Sequence, residues 1–189
     1  MITSRFSSIL SRSIFSLVLM LSASLPAWSA TPAPIQTEIT GARLAGQGTF
    51  TYFGMKIYDA QLWVGPKGYD AAAPTAAPLA LDLNYARSLD GKKIAEASRD
   101  EMAKLHVGSA AQRAAWLSKM TAIFPNVREG MHITGVYQPA FGAKFYLDGK
   151  PLGEIADPEF GHAFFAIWLD PKTTGGKLRD ALLADAAPH

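Results

Sequence analysis

Between Leu79 and Leu105 the hydrophobic pattern changes period once, at Asp90-Gly91. Upstream of that point, Leu79-Ala-Leu-Asp-Leu-Asn-Tyr-Ala-Arg87 alternates strictly. Successive strand side chains point to opposite faces. Leu79, Leu81, Leu83, Tyr85 and Arg87 therefore share one face, which must be the buried one, and Ala80, Asp82, Asn84 and Ala86 take the other. Downstream, Ile94, Ala97, Ser98, Glu101, Met102 and Leu105 recur at helical spacing, predicting a helix that ends near Gly108. A strand with one apolar face, followed at once by an amphipathic helix, points to a layered fold in which the two bury each other.

The flanking sequence extends the pattern. Aromatic and β-branched residues crowd Ile35–Val64, with Gly46, Gly48 and Gly54 as punctuation, which predicts strands and a hairpin near Gly54. Gly65-Pro-Lys-Gly68 is a turn, and Ala71–Pro78 is a surface loop of low complexity. Ser109 is a candidate N-cap for a second helix whose core face is Trp116, Met120, Ile123 and Phe124, ended by Pro125-Asn126. Met131–Gln138 and Ala143–Leu147 read as strands, with Asp148-Gly149 as a tight hairpin turn. At Asp157-Pro158 a carboxylate cap and a first-turn proline open a helix that buries Phe160, Phe164, Ile167 and Trp168. A short last helix carries Leu178, Leu182 and Leu183. Three strands, two helices, three strands and two helices make an α+β fold, an antiparallel sheet with helices on one face.

Before this domain stands a leader. Arg5 and Arg12 precede an apolar run from Ile14 to Leu25; Pro26 breaks it, and Ala27-Trp-Ser29 supplies small residues at a cleavage site. That is the grammar of a secretory signal peptide over residues 1–29. The run is about twelve residues, too short for a spanning helix, which needs roughly 20. Residues 30–34 read as an extended tether and residues 35–186 as a single domain. The expected location is the periplasm, reached by cleavage near Ser29–Ala30, with no stable membrane span in the mature chain.

Composition then excludes several functions. The chain has no cysteine, so it has no thiol nucleophile, thiolate metal site or disulfide, and its stability must come from packing. Of 18 basic residues, Arg5 and Arg12 leave with the leader, which holds no Asp or Glu; 16 basic then face 16 acidic residues. A balanced domain lacks the basic stripe that nucleic-acid backbones require. Among His106, His132, His162 and His189 no pair stands at i, i+4, and Glu159 with His162 is too small a set for a metal. No serine stands in G-x-S-x-G, and Gly46-Gln-Gly48 lacks the third glycine of a dinucleotide loop, so no cofactor is expected.

Arg87 is the informative polar residue, because it ends an otherwise apolar strand face beside Tyr85. A guanidinium directed at a core must be paired. Either it snorkels to the sheet edge and pairs with Asp90 or Glu101, or with Tyr85 it holds an anionic ligand at the mouth of an apolar cleft. Arg43, between Ala42 and Leu44, poses the same choice. The aromatic residues, Tyr58 among them, are chiefly core filling.

Several stretches together resemble the chalcone isomerase-like proteins, in particular an exported bacterial branch. They are Gly48–Trp63, Leu81–Met102, Phe124-Pro-Asn-Val-Arg-Glu-Gly130, Gly135-Val-Tyr-Gln-Pro139 and Asp157–Pro171. The resemblance implies an open-faced β-sandwich, an antiparallel sheet covered by a layer of helices, with a ligand cleft between them. In the plant isomerases of that fold an Arg, a Thr, a Tyr and an Asn hold the flavonoid. Here Ile94 stands at the Tyr position, Glu101 at the Asn position and Phe53 at the Thr position, and Arg43 is the nearest match to the Arg. Ile94 has no proton to give or take, so the resemblance implies a protein without isomerase chemistry. The fold also includes plant relatives that bind fatty acids without catalysis. The resemblance therefore implies a small apolar or carboxylate ligand, such as a fatty acid, with Arg43, Tyr58, Tyr85 and Arg87 as candidate ligand-binding residues. Two other readings stay open: an isomerase or lyase using Glu101 or His162 as base, and a partner-binding protein whose cleft is plugged by Trp63 and Trp116.

Overall fold

A computed structural model of the chain describes residues 31–187. The expected leader, residues 1–29, and His189 lie outside the described residues. Six strands form one antiparallel sheet in strict chain order: β1 (Arg43–Tyr52), β2 (Met55–Val64), β3 (Leu79–Tyr85), β4 (His132–Gln138), β5 (Gly142–Leu147) and β6 (Lys150–Ile155). Helices α2 (Gly91–Lys104) and α3 (Ala110–Ile123) interrupt the meander after β3. Helices α4 (Pro158–Leu169) and α5 (Gly176–Leu182) follow β6. All four helices pack on one face, which makes the expected α+β, open-faced arrangement.

Local chemistry accounts for these elements. Ser109 and Gln112 form a reciprocal capping box at α3, and Asp157 caps α4 through the amides of Glu159 and Phe160, with Pro158 in the first turn. Asp148 and Gly149, both at positive φ, close the β5–β6 hairpin. The leucine face of β3 enters the main core with Phe145, Phe160 and Phe164. Gly46 lies where a Cβ would meet the Ala181 carbonyl oxygen at 2.2 Å, so its lack of a side chain lets β1 approach α5.

Two expectations need correction. Ala33 and Pro34, expected in an extended tether, and Ile35, expected to open a strand region, instead begin helix α1 (Ala33–Glu38). Ile35 and Ile39, one helical turn apart, insert against Trp63, Ala80 and Val136 on the sheet's other face. Consequently β3 is buried on both faces rather than one. Glu38 fastens α1: it accepts hydrogen bonds from Lys144 Nζ at 2.9 Å and Tyr146 Oη at 2.6 Å. The second correction is that β3 stops at Tyr85, and the chain bends at Ala86 and Arg87. The bend is held by the Ala86 amide, which donates to the Ile57 carbonyl oxygen at 2.9 Å.

Candidate functional site

Two large concavities flank the sheet. The larger, about 910 Å³, is a polar trough on the open face, crossed by Gln47, Thr49, Asp59, Gln61, Asp82, Asn84, His132 and Thr134. Its acids are already satisfied. Asp82, 4% exposed, accepts from Thr134 Oγ1 at 2.7 Å and contacts His132 Nδ1 at 2.7 Å. Asp59 accepts from Thr49 Oγ1 and pairs with Lys56, each at 2.6 Å.

The second, about 460 Å³, lies between sheet and helices and has the character of a ligand pocket: apolar walls with few converging polar groups. Its walls are built from β1–β4, α2, α4, the segment after α4 and the start of α5. Phe50, Ile57, Leu83, Ile94, Ile133, Phe164 and Ile167 supply hydrocarbon. The helical stripe expected on α2 divides here. Met102 packs into the core, joined by Ala95 from outside that stripe, whereas Ile94, Ala97 and Glu101 line the cavity. Ser98, also lining it, turns its hydroxyl to the Ile94 carbonyl oxygen at 2.9 Å.

Two phenols provide the internal polar groups. Tyr58, on β2, stacks on Phe50 with centroids 5.1 Å apart and meets Tyr85 edge to face at 6.0 Å. Its oxygen accepts from Trp168 Nε1 at 3.0 Å, which leaves its own proton free to donate. Tyr85, on β3 and 3% exposed, has no hydrogen-bond partner for its hydroxyl among the described residues. Burial raises the pKa of both phenols well above the ordinary value, and for Tyr58 the nearby Glu101 charge adds to the rise. Both therefore remain neutral donors at ordinary pH.

The rim is charged but nearly balanced. Glu101 accepts from Lys104 Nζ at 2.6 Å and from Thr174 Oγ1 at 2.8 Å. Asp100 pairs with Arg99 at 2.7 Å. Lys93 has no carboxylate partner among the described residues.

Of the four candidate residues, the structure brings Tyr58 and Tyr85 together in this cavity and places Arg43 and Arg87 off it. Arg43 donates from Nη1 and Nη2 to the carbonyl oxygens of Asp185 and Ala187, and so ties the C-terminal segment to the start of β1. Arg87 loses its place on the β3 face because the strand has already ended. Its Nη1 lies 3.1 Å from Met55 Sδ. Neither expected partner holds it, since Asp90 caps α2 and Glu101 is engaged by Lys104 and Thr174. Among the isomerase positions, Ile94 and Glu101 line the cavity and Phe53 stands on an exposed turn. His162 lines a separate small depression with Tyr69 and Pro74. Trp63 packs under α1, and Trp116 donates to Asp157 Oδ2 at 2.8 Å; neither plugs the cavity. The residues that sequence reasoning missed, chiefly Phe50, Ile57 and Lys93, gave no signal beyond apolar or surface character.

Comparison with known proteins agrees with this architecture. A family model described as chalcone isomerase-like matches residues 29–184. An uncharacterized protein of Haemophilus influenzae is 31% identical over 106 residues, 56% of this chain and 52% of that protein. The match thus spans about half the length of that curated relative. The crystal structure of an Arabidopsis thaliana fatty-acid binding protein superposes with a TM-score of 0.62 at 12% identity, covering 78% of this chain and 89% of that one.

Proposed function

This chain belongs to the chalcone isomerase-like family, and from that membership we propose that it binds, without transforming, one small amphipathic ligand with a carboxylate head, such as a fatty acid. The observation that carries this reading is a pair of phenols lining an apolar cavity of about 460 Å³, neither of whose protons has an acceptor among the described residues. Both protons are therefore available to a guest. A ligand oxygen reached by Tyr58 and Tyr85 would accept from both, while the hydrocarbon walls reward burial of a chain at about 25 cal/mol per Å². The solved fatty-acid binding protein with this fold is consistent with such a ligand. Ile94, in place of a proton-handling side chain, is consistent with binding alone.

Tyr85→Phe tests the reading in a fatty-acid titration. It keeps the ring and removes one charge-assisted hydrogen bond, so affinity should fall by about 1.5–3 kcal/mol. Unchanged affinity would remove the phenols from the site. The cavity position of Glu101 keeps a second reading in view, an intramolecular lyase or isomerase with that carboxylate as base. Turnover abolished in Glu101→Gln would favour it over binding alone.

The same proposal includes export to the periplasm, supported by the three-part leader over residues 1–29. An intact mass beginning near Ala30, in protein released by osmotic shock, is the expected result. A full-length cytoplasmic chain would overturn it.

A further inference from the structure

The exposed large hydrophobic side chains among the described residues are Tyr52, Phe53 and Met55, and all three stand on the turn between β1 and β2. Phe53 is 85% exposed. Tyr52 and Met55 pair across the turn, and between them Phe53 and Gly54 have φ of 48° and 74°. That left-handed, two-residue geometry favours Asn-Gly or Asp-Gly. A bulky aromatic is a poor choice there on backbone grounds and for solubility. A Cβ added at Gly54 would meet nothing within 4 Å, so the tip projects free of the rest of the molecule.

The turn also borders the cavity, which Tyr52 lines. Most of the charge around it is paired, and two cations are not. Lys56 and Lys104 are paired with Asp59 and Glu101, but Arg87, lying on Met55, and Lys93, on the cavity rim, have no carboxylate partner among the described residues.

We propose that the Tyr52–Met55 turn docks this protein on an anionic lipid bilayer, with Phe53 inserted among the acyl chains and Arg87 and Lys93 facing the headgroups, so that the cavity exchanges its ligand with the membrane. The inference rests on the ligand reading above, because an amphiphile that fits the cavity resides mainly in bilayers. A protein partner fits the patch less well. An aromatic side chain buries about 150–250 Å². Three side chains, already partly covered, fall short of the roughly 800 Å² per partner of a stable interface. A bilayer needs only a protruding apolar tip and a cationic surround.

Phe53→Asn separates docking from folding and from ligand binding. It places a residue suited to the left-handed turn at a position that does not line the cavity. The full chain and this variant are to be compared by flotation with vesicles of phosphatidylcholine mixed with phosphatidylglycerol. The variant should partition about tenfold more weakly, with an equal or higher melting temperature and unchanged fatty-acid affinity in vesicle-free solution. Arg87→Gln should reduce partitioning onto the mixed vesicles and leave the weaker partitioning onto pure phosphatidylcholine unaltered. Equal flotation of wild type and Phe53→Asn would overturn the docking proposal. So would a dimer in light scattering that Phe53→Asn dissociates without any effect on vesicles, since a second copy would then occupy the turn. Wild-type protein that floats but binds no fatty acid in solution would show that the ligand reading has failed, and protein that binds fatty acid but does not float would show that the docking proposal has failed.

Discussion

Tyr85 is the residue at which folding and function diverge. Its ring fills the core at the end of β3, but the residue also lines the cavity, where its hydroxyl has no partner among the described residues. Removing the hydroxyl should therefore have opposite effects on two measurements. In Tyr85→Phe the free protein should be as stable as wild type or more stable by up to about 1 kcal/mol, while its ligand affinity falls. A thermal melt read beside the titration checks this; lower stability with unchanged affinity would make the hydroxyl structural. The sequence already marked Tyr85 and Tyr58 as aromatic residues on sheet faces. It could not show that the two rings meet, because that depends on the antiparallel register placing Tyr58 opposite Tyr85. Arg87 shows the converse. Its position on the leucine face assumed that the alternation ran on, but β3 ends two residues earlier and the bend that follows moves it to Met55.

Elements with strong local signals were legible in advance: the capped starts of α3 and α4, the Asp148-Gly149 turn and the alternation of β3. Helix α1 was not, since six residues give hardly two turns of periodicity and its reason for folding is the sheet beneath it. That dependence makes α1 sensitive to acid. Burial alone would raise the Glu38 carboxyl, but hydrogen bonds from Tyr146 and Lys144 and the charge of Lys144 bring it below its ordinary 4.5. A carboxyl depressed in the folded state stabilises above its ordinary pKa, and that stabilisation is lost as pH falls through the folded value. Amide protection at Ile39, corrected for intrinsic exchange, should therefore drop relative to β3 as pH falls below 4.5. Equal loss in both elements would show that Glu38 does not govern α1. Gly91, at the start of α2, tests a second contact between elements. Alanine in a helix is intrinsically better than glycine by up to about 1 kcal/mol. Here, however, its Cβ would meet the Phe124 carbonyl oxygen at 2.2 Å, and backbone cannot rotate away. Gly91→Ala should destabilise by about 1–2 kcal/mol in denaturant unfolding, and a stabilised variant would contradict the close approach.

For the whole molecule, a chain without cysteine relies on one aromatic core joining helices to sheet. Phe145 is its hub, with ring centroids 5.1 Å from Phe124, 5.2 Å from Phe164 and 6.3 Å from Phe160. Phe145→Ala should cost about 3–5 kcal/mol, a large part of a typical domain's stability, and a loss below 1 kcal/mol in chemical denaturation would show a core able to collapse around the gap. The α+β class and the order of layers were readable because each strand and helix declares its apolar face. A cleft between the layers was implied by the family resemblance, but its lining was not readable, because it is the space left where α2 turns one edge to the core and the other to the sheet.

The account stands most directly on whether that space holds a ligand. Native mass spectrometry of the protein recovered gently from its own cells should show one extra mass per chain, the size of a lipid-like acid, lost on denaturation and weakened in Tyr85→Phe. A bare chain, still bare after incubation with fatty acids, would contradict it.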